Sequence, residues 1–417
     1  MFALRQSPRS RRPVAAVARA AAIVAAVLAG ALVGGGQAPC VAAPAPAYAA
    51  DLAAFVKEVD AGYPFFELKG IKDDWAATRK RLAAGVGRCR SDTDFLGLIV
   101  EGMRCLRDAH MSLDEPKAEM PKPPPEYVSG ISFLPAIKNS VVVMVPPKGM
   151  ESQLATGTVV LTIDGKPARA VLDELAKRSW AAGGFFSSPQ RARLFEYRIP
   201  LRGKQSEKHV IGYVARGKPA RITLTSTVEA GGWPHVYNQP ANLARVGRSF
   251  LYGRLPSGVG YIYIRRAEAD TADGLKEALA KVPGAKGWVV DLCGNGGGGY
   301  DDTLIAAVKA MPRPVAVIID EGCISAGETL ARDFAEYAGA RLFGAKTAGS
   351  STSKRHWKFP SGIASVTFST RSRWRGDRKP IEFNGIDPDE PVEAVPEELA
   401  RGLNSAICRA EAYLRKP

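Results

Sequence analysis

Histidine is scarce in this chain. Four occur in 417 residues, His110, His209, His235 and His356. No CxxC pair and no Cys/His spacing of a zinc site is present, so the usual zinc centres are excluded and no metal or cofactor is expected. Acid is absent from the start of the chain, where no Asp or Glu precedes Asp51. No arginine-rich helix interleaved with aromatics occurs, which argues against a nucleic-acid partner. No internal repeat is visible, so a solenoid is excluded. Long apolar runs are missing too: the Ala/Val/Leu/Gly stretch from Ala20 to about Val33 is short and alanine-rich for a membrane span.

What is present at the amino end reads as an export signal over residues 1–49. Arg5, Arg9, Arg11, Arg12 and Arg19 precede or enter the apolar stretch, and Ala47-Tyr48-Ala49 has the small-x-small pattern of a cleavage site. A retained anchor is the alternative. Cys40 follows Pro39, which does not suit a lipoprotein. Periplasmic or extracellular residence is expected. Of 57 basic and 42 acidic residues, removing those five arginines leaves 52 against 42, about +10. That suits association with anionic envelope or membrane surfaces. Five cysteines remain; Cys89–Cys105 and Cys293–Cys323 are the pairings considered in an oxidising compartment, with Cys408 left over.

The expected fold is α+β and multi-module. Residues 50–120 read as a helical segment. Leu52, Phe55, Val56 and Val59 form one apolar stripe, Trp75–Ala84 a second helix, and Ser91 caps a third from Phe95 to about Arg107 with His110 at its end. Five prolines between Pro116 and Pro125 mark a linker. Residues 125–235 read as a small, partly open β-domain. Its strands are Val141–Val145, Thr158–Ile163 and Arg221–Thr225, with a helix from Ala168 to about Arg178. Over 236–417 strands and helices alternate, which implies parallel strands with crossover helices. Glu397–Leu414 is expected as one terminal helix.

Two strand-to-helix junctions carry the chemistry. The first, Val290-Asp291-Leu292-Cys293-Gly294-Asn295-Gly296-Gly297-Gly298-Gly299, offers backbone N–H groups in a glycine turn. The second, Asp320 to Glu328, sets Ser325 at a helix start. A backbone anion hole beside a serine is what acyl transfer requires. Gly294-x-Gly296-x-x-Gly299 also matches a dinucleotide fingerprint, but Asp301 and Asp302 occupy the helix start where a pyrophosphate needs positive potential. Ser325-x-x-Glu328 doubles as a capping box. A base is needed for Ser325, and periodicity leaves His110 and His356 open, the latter within the basic loop Ser353–Trp357. Ser351-x-x-Lys354 is a short motif match without its expected helix. Glu382 precedes a turn-rich segment, either a solvated acid or an orienter of the histidine.

These motifs resemble those of the tail-specific and tricorn-core serine peptidases. Asp291–Gly298, Ser325–Glu328 and Asn384–Asp389 match three ordered core motifs. Tyr63–Phe66 through Leu106-x-Asp108-x-His110 matches the N-terminal segment, and Gly157–Pro167 a PDZ-type module. The resemblance implies a ClpP/crotonase-like α/β catalytic domain at 236–417 and a PDZ-like domain at 125–235. It implies Ser325 as nucleophile, His110 as base, Glu382 as supporting carboxylate, and Gly297 and Ala326 N–H groups as the oxyanion hole. Ser350 stands where the lysine-using branch has its base, and Lys346 falls in a different, non-catalytic column. Ala109 replaces a serine of the tetrad, with Ser350 or Ser351 as stand-ins. The implied function is an exported serine endopeptidase acting on polypeptides or their C-terminal tails. The alternatives are a non-catalytic binding protein on the same scaffold and a dinucleotide-binding enzyme.

Overall fold

A core sheet of seven strands runs in the order Ala244–Val246, Phe250–Arg254, Gly260–Ile264, Trp288–Asp291, Val315–Ile319, Arg341–Gly344 and Glu390–Pro391. From Gly260 onward neighbouring strands are parallel. The computed structural model describes residues 46–230, 239–374 and 379–415. The central strands are apolar on both faces because both are covered. Helices Thr271–Lys281, Asp302–Lys309 and Ala326–Ala338 pack on one side. Ala406, Ile407, Ala410 and Leu414 of Ser405–Leu414 pack on the other. The expected alternation of strand and helix is present. The terminal helix is not continuous: it is broken into Pro396–Ala400 and Ser405–Leu414 around Gly402, whose φ of 75° ends the first piece.

The amino-terminal segment is helical, as Pro46–Gly62, Phe66–Lys69, Lys72–Val86 and Asp92–Cys105. Ser91 caps the last through a reciprocal bond with Asp94. His110 does not sit on that helix; it lies in the turn after it, just before the strand Ser112–Asp114. That strand pairs with Ser365–Ser372, which pairs with Thr352–Lys358, so the first and last thirds of the chain share a sheet. They share a core too. Phe55 is fully buried and lies 6.3 Å from Phe359 and 6.1 Å from Phe368, ring centre to ring centre. Such pairs add about 0.5–1.5 kcal/mol each beyond burial. The segment expected as a basic loop around His356 is therefore a strand, because Trp357 on its inner face joins this core while Lys354, His356 and Lys358 alternate outward.

Residues 127–229 hold an antiparallel sheet in the order Ser132–Ala136, Ser140–Val145, Val159–Ile163, Lys208–Ala215 and Lys218–Thr225. Two helices accompany it, Ala168–Ala181 and Pro189–Arg198, and the sequence pattern had indicated only the first. Residues 1–45, which hold most of the expected signal, lie outside the described residues. Pro46–Ala50, with the expected cleavage motif, form the start of the first helix, and Tyr48 stacks on Phe95 at 4.8 Å. No helix among the described residues is long and apolar enough to cross a membrane. Neither expected disulfide is formed. Cys89, Cys105, Cys293, Cys323 and Cys408 are all free, and Cys89 Sγ instead faces Gly85 O in the turn before it at 3.8 Å.

Candidate active site

Ser325 lies where the strand Val315–Ile319 hands over to the helix Ala326–Ala338. Its backbone is strained, with φ 56° and ψ −123°. A non-glycine residue there costs of the order of 1–3 kcal/mol and persists only where its surroundings enforce it. They do so here through hydrogen bonds. Ser325 N donates to Ser350 O at 2.8 Å and to Glu328 Oε2 at 3.2 Å, while Ser351 Oγ and Glu328 N donate to Ser325 O. Glu328 is wholly buried and also accepts from Thr347 Oγ1, Gly349 N and Ser350 N. Burial pushes its carboxyl up, to about 7.

The turn presents the Ser325 hydroxyl to His110, whose Nε2 stands 3.0 Å from Oγ although 215 residues separate them in sequence. Burial pushes His110 down to about 4; Asp108 opposes this, and the charges of Lys354 and Lys69 add to it. The imidazole is thus held neutral near pH 7, the form able to accept a proton from a serine. Its loop is fixed by the backbone. His110 N donates to Asp108 Oδ1 at 2.8 Å and Ala109 N to Ser187 Oγ at 3.0 Å.

Glu382 lies in the same buried cluster but makes no hydrogen bond to His110 among the described residues, and His110 Nδ1 is buried without a partner. Instead Glu382 Oε1 contacts Lys69 Nζ at 2.7 Å, and its Oε2 accepts from Ser351 N at 3.2 Å. Lys69 Nζ also donates to Tyr63 Oη at 2.9 Å and Arg107 O at 2.8 Å, and lies 3.7 Å from Asp108 Oδ2. Burial pushes Glu382 up to about 8, even with the lysine beside it. Ser350 Oγ donates to Ser187 Oγ at 3.0 Å, and Ser187 in turn hydrogen-bonds Glu382. The Ser187 hydroxyl therefore links the carboxylate to the histidine loop.

Gly297 backs directly on the serine. A Cβ there would lie 2.7 Å from Ser325 Cβ, and φ is 75°, so only glycine fits. Its N–H donates to Asn295 Oδ1 at 2.9 Å, which means that bond must be given up before the N–H can serve an oxyanion. Ala326 N follows the nucleophile directly at the helix start. At the glycine turn a Cβ on Gly298 would meet Ala267 O at 1.8 Å, and the acidic Asp301 caps the following helix by accepting from Leu304 N at 2.9 Å, where a pyrophosphate would need positive potential.

His356 is remote in its partners from Ser325. It is exposed, and Nδ1 pairs with Thr367 Oγ1 at 3.0 Å. Sequence reasoning missed Lys69, Ser187 and the holding role of Glu328. Lys69 follows the aromatic run Tyr63–Phe66, and Ser187-Ser188-Pro189 is a helix-start pattern, but neither signal points to a serine far along the chain.

Comparison with known proteins gives the following likenesses. Residues 258–312 and 302–392 match the profile of peptidase family S41. A carboxyl-terminal-processing protease of Synechocystis sp. is 25% identical over 289 residues, covering 61% of this chain and 60% of the relative. The chain thus matches less than two thirds of that protein's length. Among solved structures, mature CPAF complexed with lactacystin superposes with a TM-score of 0.55 at 12% identity, covering 89% of this chain and 98% of that one. Mature CPAF alone gives 0.54 at 12%, covering 89% and 97%. At these identities the likeness is one of fold.

Proposed function

We propose that the chain, whose residues 258–392 match peptidase family S41, is a serine peptidase that hydrolyses polypeptides, with Ser325 as nucleophile and His110 as base. The observation that carries this is the 3.0 Å approach of His110 Nε2 to Ser325 Oγ on a strained turn. His110 takes the hydroxyl proton as Oγ bonds to the scissile carbonyl carbon. The oxyanion is met by the Ala326 N–H and by the Gly297 N–H once Asn295 releases it. The imidazolium gives its proton to the leaving amine, and an ester to Ser325 remains. Water, deprotonated by the same histidine, then hydrolyses the ester and frees Ser325. Glu382 acts on the histidine loop through Lys69, Ser187 and Asp108 rather than by direct contact.

In this reading residues 1–49 are an export signal, and the mature enzyme works in the periplasm or outside the cell. Residues 125–235 form a PDZ-like module that receives chain ends by strand addition, and 236–417 are the ClpP/crotonase-like core. A binding protein without turnover is the competing reading, favoured by the engaged Gly297 N–H and the unpartnered His110 Nδ1.

Labelling with a fluorophosphonate probe and peptide mapping tests the proposal. Modification at Ser325 in the wild type, lost in His110→Ala and retained in His356→Ala, is the expected result. His110→Ala should lower kcat/KM at least about a thousandfold. Absence of labelling in any form of the protein supports the binding reading. Loss in His356→Ala alone overturns the base assignment.

A further inference from the structure

The small sheet beside the site has one apolar and one polar face. Trp357, Val366 and Phe368 face the amino-terminal helices. Pleating then sends Lys354, His356 and Lys358 to the other face, and all three are exposed. Ser369, opposite Lys354 across the strands, donates to Asp108 Oδ1 at 3.0 Å, the same oxygen that accepts from His110 N. Lys354 therefore stands at the catalytic end of the strand. Lys358 stands at the far end and converges there with Lys117. A Cβ on Gly362 would lie 3.4 Å from Lys117 Nζ and 3.5 Å from Lys358 Cε. None of these three lysines has an ion-pair partner among the described residues. The acid carried by this face, Asp114, is engaged by Thr367 Oγ1 at 2.5 Å and lies 3.9 Å from His356 Nδ1.

Thr352–Lys358 is also an edge strand. It pairs with Ser365–Ser372 on one side and, among the described residues, with no strand on the other. It begins next to Ser351, which bonds the backbone of the nucleophile. An open edge that starts at the serine is where an extended chain adds by main-chain hydrogen bonds. Unpaired cations beside that edge favour carboxylates on the added chain.

Building on the peptidase reading above, we propose that this strand selects acidic polypeptide segments. The substrate extends along Thr352–Lys358, and its Asp or Glu side chains meet Lys354 and, further from the scissile bond, Lys358 and Lys117. Lys354 and Lys358 are four residues apart, about 13 Å in extended chain. Acidic residues four apart in the substrate share a face and meet both cations; residues three apart do not.

The test digests a peptide library with the full chain and reads the cut sites by mass spectrometry. The expected wild-type result is enrichment of Asp and Glu at two positions four residues apart on one side of the cut. Each carboxylate should contribute about threefold, the range of a partly exposed ion pair, and the effect should fade in about 0.5 M salt. Lys354→Gln/Lys358→Gln should flatten the preference while still cutting the library, and Lys354→Glu/Lys358→Glu should turn it toward basic residues. If nothing is cut, the peptidase reading fails, and anisotropy with fluorescein-labelled glutamate peptides and their glutamine counterparts then reads the inference alone. Tighter binding of the glutamate peptide, abolished in Lys354→Gln/Lys358→Gln, sustains it. Equal treatment of Glu and Gln in both assays, or an acid preference unchanged in the double variant, overturns it.

Discussion

Replacing Lys69 by methionine tests whether the buried charge cluster supports the site. The methionine matches the lysine stem but removes the ammonium from four oxygens: Glu382 Oε1 at 2.7 Å, Arg107 O at 2.8 Å, Tyr63 Oη at 2.9 Å and Asp108 Oδ2 at 3.7 Å. The side chains of Lys69, Asp108 and Glu382 are fully inaccessible, so water does not take the ammonium's place. Breaking such an ion pair from one side costs about 3–5 kcal/mol, because the buried Asp108 carboxylate, held ionised against burial by Lys69 and His110, is left without the lysine. Chemical denaturation followed by tryptophan fluorescence should register a loss of that size. Lys69→Met/Asp108→Asn removes the stranded charge along with its partner. It should recover at least about 2 kcal/mol relative to the sum of the single variants. Activity gives the second readout. Asp108 and Arg107 belong to the turn that aims His110, so Lys69→Met should lower kcat/KM even under conditions where the protein stays folded. A destabilisation below about 1 kcal/mol, with additive single and double variants, would refute the argument.

Four further outcomes are expected. With His110 pushed down to about 4, the acid limb of kcat/KM should fall near pH 4 rather than near 6.5. The unfolded chain binds a proton on this histidine below about 6.5 that the folded state refuses until about 4. This group's contribution therefore lowers stability as pH drops through that window. Lys354→Gln should move the acid limb of a pH–rate profile upward, and an unmoved limb would remove the lysine from the histidine's field. Gly297→Ala should abolish fluorophosphonate labelling of Ser325, since its methyl would stand 2.7 Å from the serine Cβ; a fully active alanine variant would show that this turn is not where the backbone meets the substrate.

The parts of the fold that were legible in the sequence are those written by neighbours. Asp164-Gly165 closes a hairpin with both residues at positive φ, and Ser91 with Asp94 starts a helix, because these signals act within a few residues. The parallel core followed from alternation of apolar runs. Thr352–Lys358 was not legible as a strand, since its outward residues are Lys, His and Lys and its pairing depends on Ser365–Ser372. The site divides along the same line. Ser325 and the glycine turn announce themselves through local motifs, whereas periodicity alone did not separate His110 from His356. Lys69 was invisible for a physical reason. A lysine is ordinarily solvated, and only the assembled cluster of Asp108, Glu382 and Tyr63 makes its burial tolerable.

The order in which the site's parts leave the ribosome has a consequence of its own. The histidine loop comes early, the serine 215 residues later, and the carboxylate that completes the cluster at position 382, close to the carboxyl end. The sheet that seats the histidine loop also needs Ser365–Ser372 before Ser112–Asp114 has a partner. A nascent chain therefore lacks the assembled site until its last segments are made. In the proposed reading, assembly of the site is written into chain order, and it is complete only when the last quarter of the polypeptide closes onto the first.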